Sequence, residues 1–303
     1  MNKALAIFLT FILILGACTP LSADDNSSKA ESGLHITVSI ASVQWLVDQI
    51  AGGLVQTQSL TTSGDDPHTY EPSPSQMTAM ASSDVYFATG IGFEQVWLPK
   101  FIDANSKLQV IDVSDGIELI PLHHEHHHDE PDDHDEHHEH EGLDPHIWLS
   151  PANMEIIAAN IAATLQKLDP ENADSYQRNL ADVLVSIRDV DQQLEEMMSE
   201  KQRTQFLIVH PSLGYIAHDY ALEMISVEVD GQEPSPSQLA EILSALETYG
   251  IHTLLTQSGI NPFNAQVLAE QAGIDVIIEL DPLTYDWADN ILFIGKSLQK
   301  ALN

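Results

Sequence analysis

Asp169–Lys201, DPENADSYQRNLADVLVSIRDVDQQLEEMMSEK, divides the chain into two halves and decides how the rest is organised. After Asp169-Pro170-Glu171, thirty residues follow without Gly or Pro. Asp169 suits a helix N-cap and Pro170 the first helical position. Tyr176, Leu180, Leu184, Ile187, Leu194 and Met197 recur at helical spacing, which predicts an amphipathic helix over Pro170–Lys201. Thirty-two helical residues span about 48 Å, long enough to run along two lobes as a common support. Two ordinary helices with an unmarked break are the other reading of the same stretch.

On either side, strand-like runs alternate with helix-like ones. Before the helix the strand runs are 36–40, 57–61, 84–88 and 108–112, with helical stretches at 43–51, 74–81 and 93–101. After it they are 206–209, 225–229, 253–256 and 276–278, with helices at 237–249, 263–272 and 288–302. Such alternation predicts βαβ units. The expected fold class is α/β, two Rossmann-like lobes with mostly parallel sheets joined by one long rigid helix. The hexapeptide Glu71-Pro72-Ser73-Pro74-Ser75-Gln76 recurs as Glu233-Pro234-Ser235-Pro236-Ser237-Gln238. Each copy carries a Ser N-cap, a Pro at the first helical position and a Gln able to close a capping box. One copy per strand set suggests two related lobes.

The chain has 303 residues, with 46 Asp and Glu against 11 Lys and Arg, a formal net charge of -35. That charge repels phosphate backbones and excludes nucleic acid as a partner. A 43% apolar content supplies real cores. One Cys excludes an internal disulfide framework and a Cys-based zinc site. Residues 1–17 have the form of a signal peptide: Lys3, an uncharged apolar run Ala4–Leu15, then Leu15-Gly16-Ala17-Cys18. Twelve helical residues reach only about 18 Å, short of the bilayer's apolar core. Residues 18–33 are expected to be a tether lipidated at Cys18, anchoring the protein to a membrane outside the cytoplasm. The lobes are expected at 34–168 and 203–303, with the linking helix over 169–202.

Fifteen His are present, and nine fall within residues 123–141: His123, His124, His126, His127, His128, His134, His137, His138 and His140. Nine acids and Pro131 fill the remainder. Such a tract cannot build a packed core. Its ligands suit zinc, copper or nickel, and it is read as an accessory metal-collecting loop. Of the other six, His68 follows Asp66-Pro67, His146 follows Asp144-Pro145, and His210 closes the strand run 206–209. Ligands of open α/β sheets bind beyond the carboxyl ends of strands. Asp281, just past 276–280, occupies the same kind of edge. His35, His218 and His252 carry no motif and are read as structural.

GDDPHTYEPSPSQ, DPHIWLSP, HPSLGYIAHDYAL and ELDPL together resemble motifs of the metal-binding lipoproteins of bacterial zinc and manganese ABC importers. The resemblance spans about residues 34–303. It implies two α/β lobes on one long helix, with the ion between them. It implies His68 and His146 as ligands from the first lobe, and His210 and Asp281 from the second. Glu279, Asp286 or a water remain alternatives for the fourth position. Three imidazoles and one carboxylate suit Zn²⁺ as the transported ligand, whereas manganese prefers more oxygen; manganese-binding members tend to carry Glu where this chain has His210. The implied partners are an ABC permease with its cytoplasmic ATPase and the membrane, and the protein is expected to be a monomer and not an enzyme. Manganese or iron import is the nearest alternative. A surface metal buffer or adhesin is another, and a zinc hydrolase a third.

Overall fold

The computed structural model describes residues 33–122, 142–228, 232–259 and 262–303. The expected signal peptide, Cys18 and the 123–141 histidine tract lie outside them. Gly33–Asn303 forms one compact unit carrying two four-stranded sheets. The first contains β1 (His35–Ile40), β2 (Gln56–Thr61), β3 (Val85–Ala88) and β4 (Gln109–Asp112) in the order β2-β1-β3-β4. The second contains β5 (Gln205–Ile208), β6 (Glu223–Ser226), β7 (Thr253–Gln257) and β8 (Val276–Leu280) in the order β6-β5-β7-β8. Every pairing in both is parallel. The two orders are the same permutation. Each reverses between its first and third strands, where doubly wound sheets open a crevice at their carboxyl edge.

The helices before the long one are α1 (Ala41–Ala51), α2 (Pro74–Met80), α3 (Gly92–Ala104) and α4 (Pro151–Leu168). The repeated hexapeptide leads into α2, between the second and third strands of the first sheet. Its second copy leads into α7 (Pro236–Tyr249), in the same slot of the second sheet. Both copies close full capping boxes, Ser73 with Gln76 and Ser235 with Gln238. The repeat therefore marks equivalent positions in two lobes of one topology.

The long helix is α5 (Ala173–Ser199), 27 residues preceded by a 3-10 turn at Pro170–Asn172. It is unbroken but starts later than the sequence predicts. Asp169 does not cap it, because its Oδ2 accepts from Asn172 Nδ2 and from the Tyr176 hydroxyl, each at 2.7 Å, which tightens the first turn. Tyr176, Leu180, Val183, Ile187, Val190, Leu194 and Met198 form its buried stripe, against α1, α4 and the C-terminal α9 (Trp287–Leu302). Arg188 pairs with Glu155 of α4 through two 2.9 Å bonds, and Asp191 accepts from the Tyr220 hydroxyl at 2.6 Å. One helix thus grips both halves.

The cores follow strand alternation. On β5, Phe206 and Ile208 join a large cluster that also contains the first sheet and the buried stripe of α5. Leu207, and Val209 just beyond, face a smaller cluster under α7 and α8 (Pro262–Ala272). Two fully buried indoles close the seam between the halves: Trp148 Nε1 donates to Pro282 O at 2.8 Å, and Trp287 Nε1 to Trp148 O at 2.7 Å. One short helix, α6 (Gly214–Asp219), was not foreseen in the sequence reading. Two residues beyond its end, Ala221 holds φ +51. β6 lies two to three residues earlier than the sequence reading puts it, because its partner β5 stops at Ile208. Among the described residues no helix is long and apolar enough to cross a membrane.

Candidate metal centre

His68 lies in the β2–α2 connection. Its loop is shaped by Asp66, whose Oδ1 accepts the His68 N–H at 2.9 Å and whose Oδ2 accepts from Thr69 Oγ1 at 2.8 Å. His146 precedes a 3-10 turn, Ile147–Leu149, which leads through Ser150 into α4. Ser150 Oγ caps α4 by accepting the Asn153 N–H at 3.2 Å. His210 stands two residues past β5. All three therefore come from the carboxyl edges of the two sheets, or from the segment crossing between them.

There they converge. One ring nitrogen from each lies within 4.8 Å of the other two, the one such group of metal-ligating side chains among the described residues. Ring centroids are 4.7 Å apart for His68–His210, 5.3 Å for His146–His210 and 5.5 Å for His68–His146. His146 and His210 are buried, while His68 reaches in from an exposed loop. The His68 and His210 Nε2 atoms are 3.0 Å apart. Two Zn–N bonds of about 2.0–2.1 Å in a tetrahedron place their nitrogens about 3.3 Å apart, so the cluster is close to ligating geometry.

The outer nitrogens of two rings are fixed by carboxylates. His146 Nδ1 donates to Asp144 Oδ1 at 2.7 Å, and the same oxygen accepts the His146 N–H at 2.9 Å. His210 Nδ1 donates to Glu228 Oε2 at 2.8 Å. A carboxylate only accepts, so each ring carries its proton on Nδ1 and turns an Nε2 lone pair inward. The His68 Nε2–H then donates to His210 Nε2, and a cation entering the cluster takes the place of that proton. Burial, the other two imidazoles adding to it, pushes the His68 pKa down to about 4. Burial also lowers that of His146, opposed by Asp144. Both rings are neutral at pH 7, as metal binding requires.

The sequence alone assigns neither Asp144 nor Glu228 a role at the site. Asp144 had a local signal, an acid two residues before a candidate ligand. Glu228 is set by strand pairing: β5 and β6 align with a constant offset, Ile208 opposite Ser226, and the same offset carries His210 opposite Glu228. Asp144 Oδ2 is buried without a partner and touches Gly214, where a Cβ would overlap it.

Asp281 lies at the carboxyl end of β8 but outside the cluster. Its Oδ2 accepts from the Ser63 hydroxyl and its Oδ1 from the Leu283 N–H at 3.0 Å. Glu279 faces Ser258 Oγ at 2.6 Å. The three unassigned histidines stay apart from the cluster: His35 is beside Ser82 O at 3.3 Å, His218 is exposed beside Asp219, and His252 is exposed.

Two doubly wound halves on one spanning helix, with an imidazole cluster between them, are the build of a metal-binding protein. Residues 36–296 match the family described as ZnuA, zinc-uptake complex component A, periplasmic. The chain belongs to this family, whose members serve as metal-binding components of ABC metal uptake and are not enzymes. It is similar to the high-affinity zinc uptake system protein ZnuA of Bacillus subtilis, 25% identical over 293 residues, covering 95% of this chain and 91% of that one. It is also similar to the manganese-binding lipoprotein MntA of Halalkalibacterium halodurans, 24% identical over 285 residues, covering 92% and 89%. A crystal structure of ZnuA superposes with a TM-score of 0.80 at 33% identity, over 89% of this chain and all of that one.

Proposed function

We propose that the protein captures Zn²⁺ outside the cytoplasm and delivers it to an ABC permease driven by a cytoplasmic ATPase. His68, His146 and His210 are the ligands in this reading, and water or a rotated Asp281 completes the shell. The observation that carries it is the all-nitrogen character of the cluster. Three imidazoles are a borderline-soft set that suits tetrahedral zinc, while manganese calls for more oxygen donors. The ions named for the two relatives, zinc and manganese, differ, so selectivity has to come from the donor set. The two outer carboxylates add countercharge without entering the shell. Residues 34–168 and 203–303 act as the two sides of the cleft and 169–202 as their common support. Cys18, following a signal peptide, carries the lipid that holds the receptor at the membrane, in keeping with a relative named as a lipoprotein. The 123–141 tract collects ions without forming the main site.

Calorimetry on metal-stripped protein lacking residues 123–141 tests this. One tight zinc site should remain, and should be lost in His146→Ala and His210→Ala. Loss of tight binding with the tract alone would overturn it. Tighter binding of Mn²⁺ than of Zn²⁺ to the intact protein would transfer the function to manganese.

A further inference from the structure

We propose that Ser63 is a specificity-determining residue, which holds the Asp281 carboxylate away from the imidazole cluster and so disfavours oxygen-seeking cations such as Mn²⁺ relative to Zn²⁺. This rests on the three-imidazole reading above and adds a residue to it. Asp281 stands at the same sheet edge as the cluster, and it is the acid that the chain's motifs first suggest as a ligand. Yet both its oxygens are engaged elsewhere, one by the Ser63 hydroxyl from the opposite half and one by the Leu283 N–H.

The donor is firmly placed. Ser63 sits at the tip of a turn closed by Asp65, whose N–H donates to Thr62 O at 3.1 Å and whose Oδ2 accepts from Thr62 N at 2.8 Å and Thr62 Oγ1 at 3.2 Å. Gly259, at φ +86, backs onto this turn from the other half. A Cβ there would stand 3.0 Å from Asp65 O and 3.1 Å from Gly64 O, so only glycine permits the approach. The Asp281 main chain is equally fixed, its carbonyl accepting from Asn290 Nδ2 at 2.8 Å and Thr284 Oγ1 at 3.2 Å. Only side-chain rotation is left to it, and rotation towards the cluster means giving up the Ser63 bond.

That bond bears unequally on the two metals. Zinc is satisfied by three imidazoles and a water. Manganese, with its preference for oxygen and higher coordination, gains most from a carboxylate and is penalised most when that carboxylate is held back. A hydrogen bond to a charged group is worth enough to shift an affinity by roughly tenfold.

The test is chelator competition on the full, metal-stripped protein with Zn²⁺ and Mn²⁺ in parallel. Ser63→Ala should tighten Mn²⁺ about tenfold and Zn²⁺ by less than about threefold. Ser63→Thr, which keeps the hydroxyl, should retain the original ratio, and adding Asp281→Asn to Ser63→Ala should abolish the manganese gain. Equal changes for both metals, no change for either, or a gain that survives Asp281→Asn would overturn the proposal. Zinc binding that survives His146→Ala and His210→Ala would instead overturn the imidazole reading on which it rests.

Discussion

Replacing Asp144 by Asn separates what the outer carboxylate does for the ion from what it does for the fold. The amide oxygen can still accept both His146 N–H groups, so the ring keeps its orientation. What is lost is the charge. A carboxylate bonded to Nδ1 lies roughly 6–7 Å from an ion held at about 2.0–2.1 Å by Nε2 of the same ring. At an effective dielectric of about 20, its attraction for a divalent cation is about 5 kcal/mol. Exchanging a charge-assisted hydrogen bond for a neutral one removes only about 1 kcal/mol, so the field term dominates and 5 kcal/mol is a ceiling. Outer partners of metal-bound histidines typically contribute 10–100-fold in affinity. The zinc Kd of Asp144→Asn should therefore rise by about that factor in a chelator competition assay. At fixed excess zinc, each tenfold loss lowers the metal's stabilisation of the fold by about 1.4 kcal/mol. The metal-free protein should respond in the opposite sense. Asp144 is buried with Oδ2 unpartnered, and a buried charge costs more than a buried amide. Its thermal midpoint should hold or rise. An unchanged zinc Kd, or an affinity loss matched by an equal loss of metal-free stability, would refute the reasoning.

Gly295→Ala should destabilise by about 1–3 kcal/mol, since its Cβ would overlap the fully buried Leu194 side chain where α9 crosses α5; thermal unfolding reads this, and zinc affinity should change little. Ala221→Gly should stabilise by about 1 kcal/mol by relieving the left-handed φ of +51, measured as a higher urea midpoint. The pH dependence has a fixed sign: with the His68 pKa at about 4 in the fold and about 6.5 in the unfolded chain, the unfolded state binds the extra proton. The metal-free protein should then keep this contribution above pH 6.5 and lose it as pH falls towards 4. Urea midpoints across that range should show a smaller slope in His68→Gln, and an equal slope would count against the assignment.

Most of the fold was legible in the sequence because it depends on local pattern. Period-2 apolar runs, capping boxes and a Gly- and Pro-free helix are written in consecutive residues, and every expected strand and helix has a counterpart in the structure. The departures are where particular side-chain contacts decide. Asp169 was free to cap α5 until Tyr176 and Asn172 took its carboxylate. α6, six residues long, is set between a glycine forced by Asp144 and an Ala at positive φ, and neither constraint shows in hydrophobic periodicity. Nor does alternation reveal that the large core runs continuously from the first sheet through α5 to one face of the second.

The metal centre divides along the same line. His68 and His146 sit next to Asp-Pro, and His210 ends a strand, so each could be picked out within a few residues of sequence. Their partners require knowledge of which strands lie side by side. Glu228 faces His210 only because β6 pairs with β5 in parallel at one register, and a slip of one residue would turn Glu228 to the other face of the sheet. Asp281 illustrates the converse: the motif around it marks a plausible ligand, while the neighbour that restrains it, Ser63, is 218 positions away. Local sequence therefore specifies which nitrogens can meet an ion. Strand register and the seam between the halves specify how much negative charge surrounds them and how close it comes. The imidazoles favour zinc, and how far other divalent cations are excluded depends on the oxygens around them, hence on contacts invisible along the chain, which the Asp144 and Ser63 substitutions probe from opposite sides.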